Sequence, residues 1–365
     1  MKKRTGHKSL RKRTAKKAGA AARARPAKKA RAAKKRGKAP ERGKPLFDRV
    51  AIIGVGLIGS SLARVIARDH LARHVVGCAR RPDTLKKIAD LKLAQTVTWD
   101  PAEAVRGADL VMICVPVGAY RDVAKAIGPH LKAGAIVSDV GSVKQAAIAD
   151  IAPHLPKGVH FVPGHPVAGT EHSGPEAGFA ELFRGRFCIL TPPAGTNPKA
   201  VAKVAELWRR AGMKVEIMDA KHHDVVLAIT SHLPHLIAYT IVGTATDLEG
   251  HTKSEVIKFA AGGFRDFTRI AASDPVMWRD IFLANREAVL EMLGRLSEDL
   301  AGLQKAIRWG EGEKLLDLFT RTRAIRRSII EAGQAEGVSS NKPARPAPKR
   351  PARRKASRSA KSKAR

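Results

Sequence analysis

Acidic residues are missing where the chain is most basic. Residues 1–45 carry twenty Lys and Arg against one acid, Glu41, and residues 338–365 carry eleven against none. Of the formal charge of +35, the two ends therefore hold +19 and +11, leaving +5 for residues 46–337. The body is an ordinary globular chain, which removes charge as an argument for a nucleic-acid-binding body. The ends also lack large apolar side chains, so they can bury no core and are expected to be disordered tails. They hold no aromatic ring for a base to stack on, so contact with nucleic acid or another polyanion is left as an accessory property of the tails. An Arg-rich, acid-poor start resembles a transit peptide but lacks the amphipathic apolar face of one. Cysteines number three (Cys78, Cys114, Cys188). An odd count without CxxC spacing excludes a disulfide framework and fits buried thiols in a reducing compartment, hence a cytoplasmic protein. Neither a secretory apolar region nor an apolar span of ~20 residues is expected, which argues against secretion and a membrane helix.

What is present is alternation. RVAIIG (49–54), HVVGC (74–78), TVTW (96–99), DLVMICVP (109–116) and AIVSDV (135–140) read as strands, and helical spacing fills 57–69, 83–91, 119–131 and 143–155. Strands joined by crossover helices mean a doubly wound parallel sheet of Rossmann type. HFV (160–162), FCILTP (187–192) and KVEIMD (214–219) add strands, with a helix at 198–211. After about residue 219 only helical apolar spacing remains, including SEVIKFAAG (254–262). The expected division is residues 46–218 for a dinucleotide-binding domain and 219–337 for an all-helical substrate and dimerisation domain. Long amphipathic helices in so small a unit predict a homodimer.

GVGLIG (54–59) supplies GxGxxG between a strand and a helix, the context in which that pattern has a mechanism. Gly54 permits the tight turn, Gly56 lets the backbone approach a pyrophosphate, and Gly59 lets the helix pack on the strand. Leu57 and Ile58 begin the helix whose N-terminus faces the phosphates. At the end of the second strand an NAD enzyme places an acid for the ribose. This chain has Ala79 followed by Arg80 and Arg81, which favours the 2′-phosphate of NADP while leaving NAD possible.

The substrate should lie outside the carboxyl ends of the strands. Val115, Pro116, Gly141 and Ser142 should therefore line the nicotinamide. GHPVAGTE follows the next strand, and its proline argues against regular structure through Gly164-His165-Pro166. A rigid turn would then hold the His165 imidazole over the hydride-donating carbon as the base, with Ser142 on the same oxygen. Four histidines (His222, His223, His232, His235) lie close in sequence, but no carboxylate or thiolate completes a ligand set and hydride transfer needs no metal, so none is expected. Arg265, Arg269 and Arg279 offer bidentate cations for a carboxylate substrate.

GVGLIGSS, DVGSVK, GHPVAGTEHSG, SHLPH (231–235) and GGFRDFTRIAASDPVMWRDI (262–281), in order over about residues 47–330, together resemble the prephenate/arogenate dehydrogenase family of tyrosine biosynthesis. The resemblance implies a small cyclohexadienol substrate, prephenate or arogenate, oxidised and decarboxylated with hydride passing to NAD(P). Prephenate is the leading assignment and arogenate, or both, the alternative. It implies that His165 deprotonates the 4-hydroxyl with Ser142 assisting, and that Arg269 holds a substrate carboxylate. His235 and Ser231 would line the pocket, and Glu171, Gly262, Asp266 and Trp278 fall on further pocket or support positions. Where NAD-dependent members place an acid, this chain departs. A remoter rival is a β-hydroxyacid dehydrogenase with Lys144 as its base.

Overall fold

A computed structural model describes residues 44–247, 258 and 260–331. The tails beyond Lys44 and Glu331, and most of the helix expected over 254–262, lie outside the described residues. The sheet half contains, in chain order, β1 (Phe47–Ile53), α1 (Leu57–Asp69), β2 (Ala72–Cys78), α2 (Pro82–Asp90), β3 (Thr96–Thr98), α3 (Pro101–Val105) and β4 (Leu110–Ile113). α4 (Tyr120–Ile127), β5 (Ile136–Asp139), α5 (Lys144–Ile151) and β6 (His160–Phe161) complete a six-stranded sheet of order β3-β2-β1-β4-β5-β6. Every pairing in it is parallel. The order reverses between β1 and β4, so the crevice for a ligand opens at their carboxyl ends. β4 (LVMI) and β5 (IVSD) are buried along their whole length, as parallel strands covered on both faces must be.

Two apolar cores cover the two faces. One gathers Val50, Ile52, Leu62, Ile66 and Leu110 with Phe183, Leu207 and Trp208. The other joins Ala51, Ile53, Val111, Ile113 and Tyr120 to Trp278 and Ile281 of the helical half, so the halves share one core.

The chain then leaves the main sheet. β7 (Gly164–Pro166), β8 (Phe187–Leu190) and β9 (Lys214–Ile217), with α6 (Pro198–Arg210) before β9, form a separate three-stranded sheet of order β7-β8-β9. Gly-His-Pro is therefore a short strand, contrary to expectation from its proline. β7 is an edge strand with β8 as its single partner (His165 opposite Ile189), and an edge tolerates the donor that Pro166 lacks.

The helical half comprises α7 (Ala220–Leu227), a π-helical turn (Ala228–His232), α8 (Leu233–Asp247), α9 (Gly262–Thr268), α10 (Pro275–Ala284), α11 (Arg286–Arg308) and α12 (Gly312–Ile329). Asp219 starts it, its carboxylate accepting the N–H groups of Lys221 (2.8 Å) and His222 (3.1 Å). From Ala220 to Asp247 the helix runs on through the π turn and is long and apolar enough to cross a membrane by length and composition, where no such span was expected. His223, Asp224 and His232 interrupt the apolar letters, yet within one continuous helix they are buried and hydrogen-bonded in the protein core.

Candidate active site

The three glycines of the dinucleotide turn divide their work visibly. Gly54 has φ +91°, and a Cβ there would strike the Cys114 carbonyl and Val115. This also places Val115 against the turn. A Cβ at Gly59 would collide with the Gly54 carbonyl, whereas one at Gly56 would meet nothing. No contact within the protein requires glycine at 56, so its bare backbone leaves room for a ligand. α1 has no side-chain cap and no acid in its first turn, so its amide end is left for an anion. Leu57 and Ile58 of that turn are half-buried and Pro116 is exposed at the same edge. These residues fit a dinucleotide pyrophosphate.

Arg80 and Arg81 are exposed after β2. Among the described residues the Arg81 guanidinium reaches only Asp83, at 4.0 Å. No carboxylate takes the place of Ala79, which is buried.

At the base, His165 is buried and its Nδ1 lies 2.9 Å from Nε2 of His223. His223 Nδ1 in turn lies 2.8 Å from Asp224 Oδ1. The Asp224 carboxylate also accepts the first amides of α5, from Lys144 (2.8 Å) and Gln145 (2.9 Å). Burial would raise the Asp224 carboxyl, but the bonds from His223 and the two amides outweigh it and hold it below its ordinary value. An ionised Asp224 requires the proton of His223 on Nδ1. His223 Nε2 is then an acceptor, so His165 donates from Nδ1. The lone pair of His165 is left on Nε2, which makes no hydrogen bond among the described residues. Burial, followed by His223 and the Lys144 ammonium, pushes the His165 pKa well below 6.5 and keeps the ring neutral, in the form that can accept a proton.

Ser142 is half-buried in the turn after β5, a turn pinned by Gly141 N–H donating to Asp139 Oδ2 at 2.9 Å. Its hydroxyl makes no hydrogen bond among the described residues. Asp139 also accepts from Gly164 N–H (3.2 Å) and Tyr120 O–H (3.0 Å). The carboxylate thus ties the Ser142 turn to the His165 strand. Lys144 completes this tie, its Nζ reaching Asp139 Oδ2 (2.5 Å) and the Gly164 carbonyl (2.6 Å). It is wholly buried, so the rival's base has no access to a substrate.

On the helical half, His235 donates from Nδ1 to the Ser231 carbonyl (2.9 Å) and stacks on Trp278 with ring centroids 3.6 Å apart. Burial first, and then Arg269, depress its pKa. Arg269 Nη1 contacts Glu171 Oε2 at 3.1 Å and stays more than half exposed. Glu171, His235, Trp278, Ser231 and Arg269 therefore form one neighbourhood. Gly262 opens α9 without crowding, with nothing near a would-be Cβ. Asp266 and Arg265 are exposed on α9, and their side chains make no hydrogen bond among the described residues. Arg279 is paired with its neighbour Asp280 (2.7 and 2.9 Å), which stands against Gly118 beyond β4. His232 takes a bond from Asn285 Nδ2 through its Nδ1 (3.0 Å), and His222 is exposed. Sequence reasoning missed His223 and Asp224 as partners of the base. The adjacent letters HHD were the available signal.

The family model for the prephenate dehydrogenase nucleotide-binding domain matches residues 62–217, and that for the prephenate dehydrogenase dimerization domain matches 219–321. The chain belongs to the prephenate dehydrogenase family. It is 43% identical over 285 residues to the cyclohexadienyl dehydrogenase of Zymomonas mobilis, covering 78% of this chain and 97% of that one. Prephenate dehydrogenase of Bacillus subtilis is 32% identical over 284 residues (76% and 75% covered). Among solved structures, prephenate dehydrogenase of A. aeolicus in complex with hydroxyphenyl propionate and NAD+ superposes with a TM-score of 0.72. The identity there is 36%, covering 77% of this chain and 98% of that one. The chain is an oxidoreductase of this family with a nucleotide-binding domain for a nicotinamide cofactor.

Proposed function

We propose that the chain oxidatively decarboxylates prephenate to 4-hydroxyphenylpyruvate in tyrosine biosynthesis. The observation that carries this assignment is a neutral imidazole, its proton fixed on the Nδ1 side by His223, at the carboxyl edge of a dinucleotide-binding sheet. His165 Nε2 takes the proton of the 4-hydroxyl, and Ser142 holds the same oxygen. The nicotinamide, when bound, accepts the hydride from C4. As the C4 carbonyl forms, the bond between C1 and its carboxylate breaks and CO2 leaves. The electron pair passes through the ring to the C4 oxygen, which takes the proton back from His165 as the ring becomes aromatic. Arg269 is accessible and holds a substrate carboxylate, with Glu171 orienting its guanidinium. His235, stacked on Trp278, and Ser231 line the pocket with Gly262. Asp266, exposed on α9, has at most a supporting part.

A second reading, that arogenate is also accepted, is favoured by the likeness to a cyclohexadienyl dehydrogenase. NADP is the preferred dinucleotide, because two arginines follow β2 and no acid precedes them. We assign residues 46–218 to the dinucleotide-binding domain and 219–337 to the helical domain, of which 248–257, 259 and 332–337 lie outside the described residues. The helical domain makes the homodimer, since Leu290, Leu300, Leu316 and Phe319 leave an apolar surface uncovered. Acting on soluble substrates and keeping three free thiols, the enzyme works in the cytoplasm. The test is a spectrophotometric assay of prephenate and arogenate with NAD and NADP, repeated on His165→Asn. Turnover should vanish in the variant while the dinucleotide still binds; substantial residual turnover would refute the assignment.

A further inference from the structure

The nicotinamide half of the cofactor must reach the β4 and β5 side of the glycine turn, where Ser142 and His165 stand. The adenosine half is then directed to the opposite side, across the ends of β2 and β3. β3 is the outermost strand, and its pairing with β2 (Cys78 opposite Thr98) continues in Ala79 N–H donating to the Thr98 carbonyl at 3.2 Å. The next residue, Trp99, therefore lies beside Ala79 and Arg80 at the carboxyl edge. The Cys78 thiol reaches its carbonyl at 3.8 Å.

Trp99 is 70% exposed, which leaves the face of its indole open to a stacking ligand. Its indole has no ring stacking, cation contact or hydrogen bond among the described residues. The acids that could compete for the ribose here are engaged: Asp100 caps α3 by accepting Ala102 N–H at 2.9 Å, and Glu103 accepts the Thr98 hydroxyl.

We propose that Trp99 is the adenine platform of the dinucleotide site, the purine lying on its indole with the Arg80 guanidinium alongside. The inference rests on a nicotinamide dinucleotide binding along this edge, and not on whether the 2′-phosphate is preferred. The probes are adenosine 2′,5′-bisphosphate and 5′-AMP, titrated calorimetrically into the full-length protein and its Trp99→Ala and Trp99→Phe variants. Trp99→Ala should weaken both nucleotides by roughly five- to hundredfold, and Trp99→Phe should keep most of the affinity. In steady-state assays the loss in Trp99→Ala should appear in the KM for the dinucleotide rather than in the KM for prephenate. Unchanged nucleotide affinity in Trp99→Ala would overturn the proposal. Equal wild-type affinity for the two probes, with both weakened by Trp99→Ala, would support the platform and overturn the 2′-phosphate preference instead.

Discussion

Replacing His223 by leucine isolates the part of the base that does not touch the substrate. The imidazole is fully buried, and leucine fills most of its volume without a hydrogen-bonding group. The variant leaves His165 Nδ1, now bonded at 2.9 Å, without a protein acceptor in a buried site. A buried donor deprived of its partner costs about 1–3 kcal/mol. The same ring can then escape that cost by moving its proton to Nε2, the atom that must be free to act. Both effects fall on the reactive form, so kcat should drop by roughly five- to 150-fold. The KM for prephenate and the dinucleotide affinity should stay within about twofold, since His223 faces neither ligand. His223→Gln, which restores an acceptor, should recover part of the loss. The assay is steady-state kinetics from pH 5 to 9, with circular dichroism to confirm the fold. The acidic limb of kcat/KM should lie below 6.5 in the wild type, because burial holds His165 deprotonated there. A Leu variant with wild-type kcat would refute the relay, as would one in which only KM changes.

Other consequences are as direct. Gly56→Ala should leave thermal stability unchanged and weaken the dinucleotide, because the added methyl meets no protein atom; Gly59→Ala should lower Tm through its collision with the Gly54 carbonyl. Differential scanning calorimetry with cofactor titration separates the two. Lys144→Met strands a buried Asp139 charge and should cost about 3–5 kcal/mol in denaturant unfolding, and adding Asp139→Asn should restore part of it. His232 is held at a pKa of about 4, chiefly by burial. The unfolded chain binds its proton near 6.5, so this contribution is complete above pH 6.5 and declines as pH falls towards 4. On the order of 3 kcal/mol is at stake. His232→Asn should flatten the Tm–pH profile across that window.

Much of the sheet half was legible because its signals are local. Alternating apolar runs and helical spacing marked β1 to β5 with α1, α2, α4 and α5 but missed the five-residue α3. The φ of Gly54 and the crowding at Gly59 match the turn foreseen from GVGLIG. The small sheet was not foreseen. β7 consists of three residues whose strand character comes from pairing with β8 across more than twenty positions, against the bias of Pro166. The relay was hidden for the same reason: His165 and His223 are 58 positions apart, and Asp224 meets Lys144 over 80. Charge alone could not show that Arg279 is paired with the adjoining Asp280, which stands against Gly118.

Asp224 belongs to the first helix of the helical half, yet it closes the amide end of α5 in the sheet half and fixes His223 against His165. Proton placement on the base is thus a property of the seam rather than of either side. Severing the chain after Ile217 would preserve the glycine turn for the dinucleotide while releasing the imidazole from its orienting partner. Such a fragment would be a receptor for the oxidant and no longer a dehydrogenase.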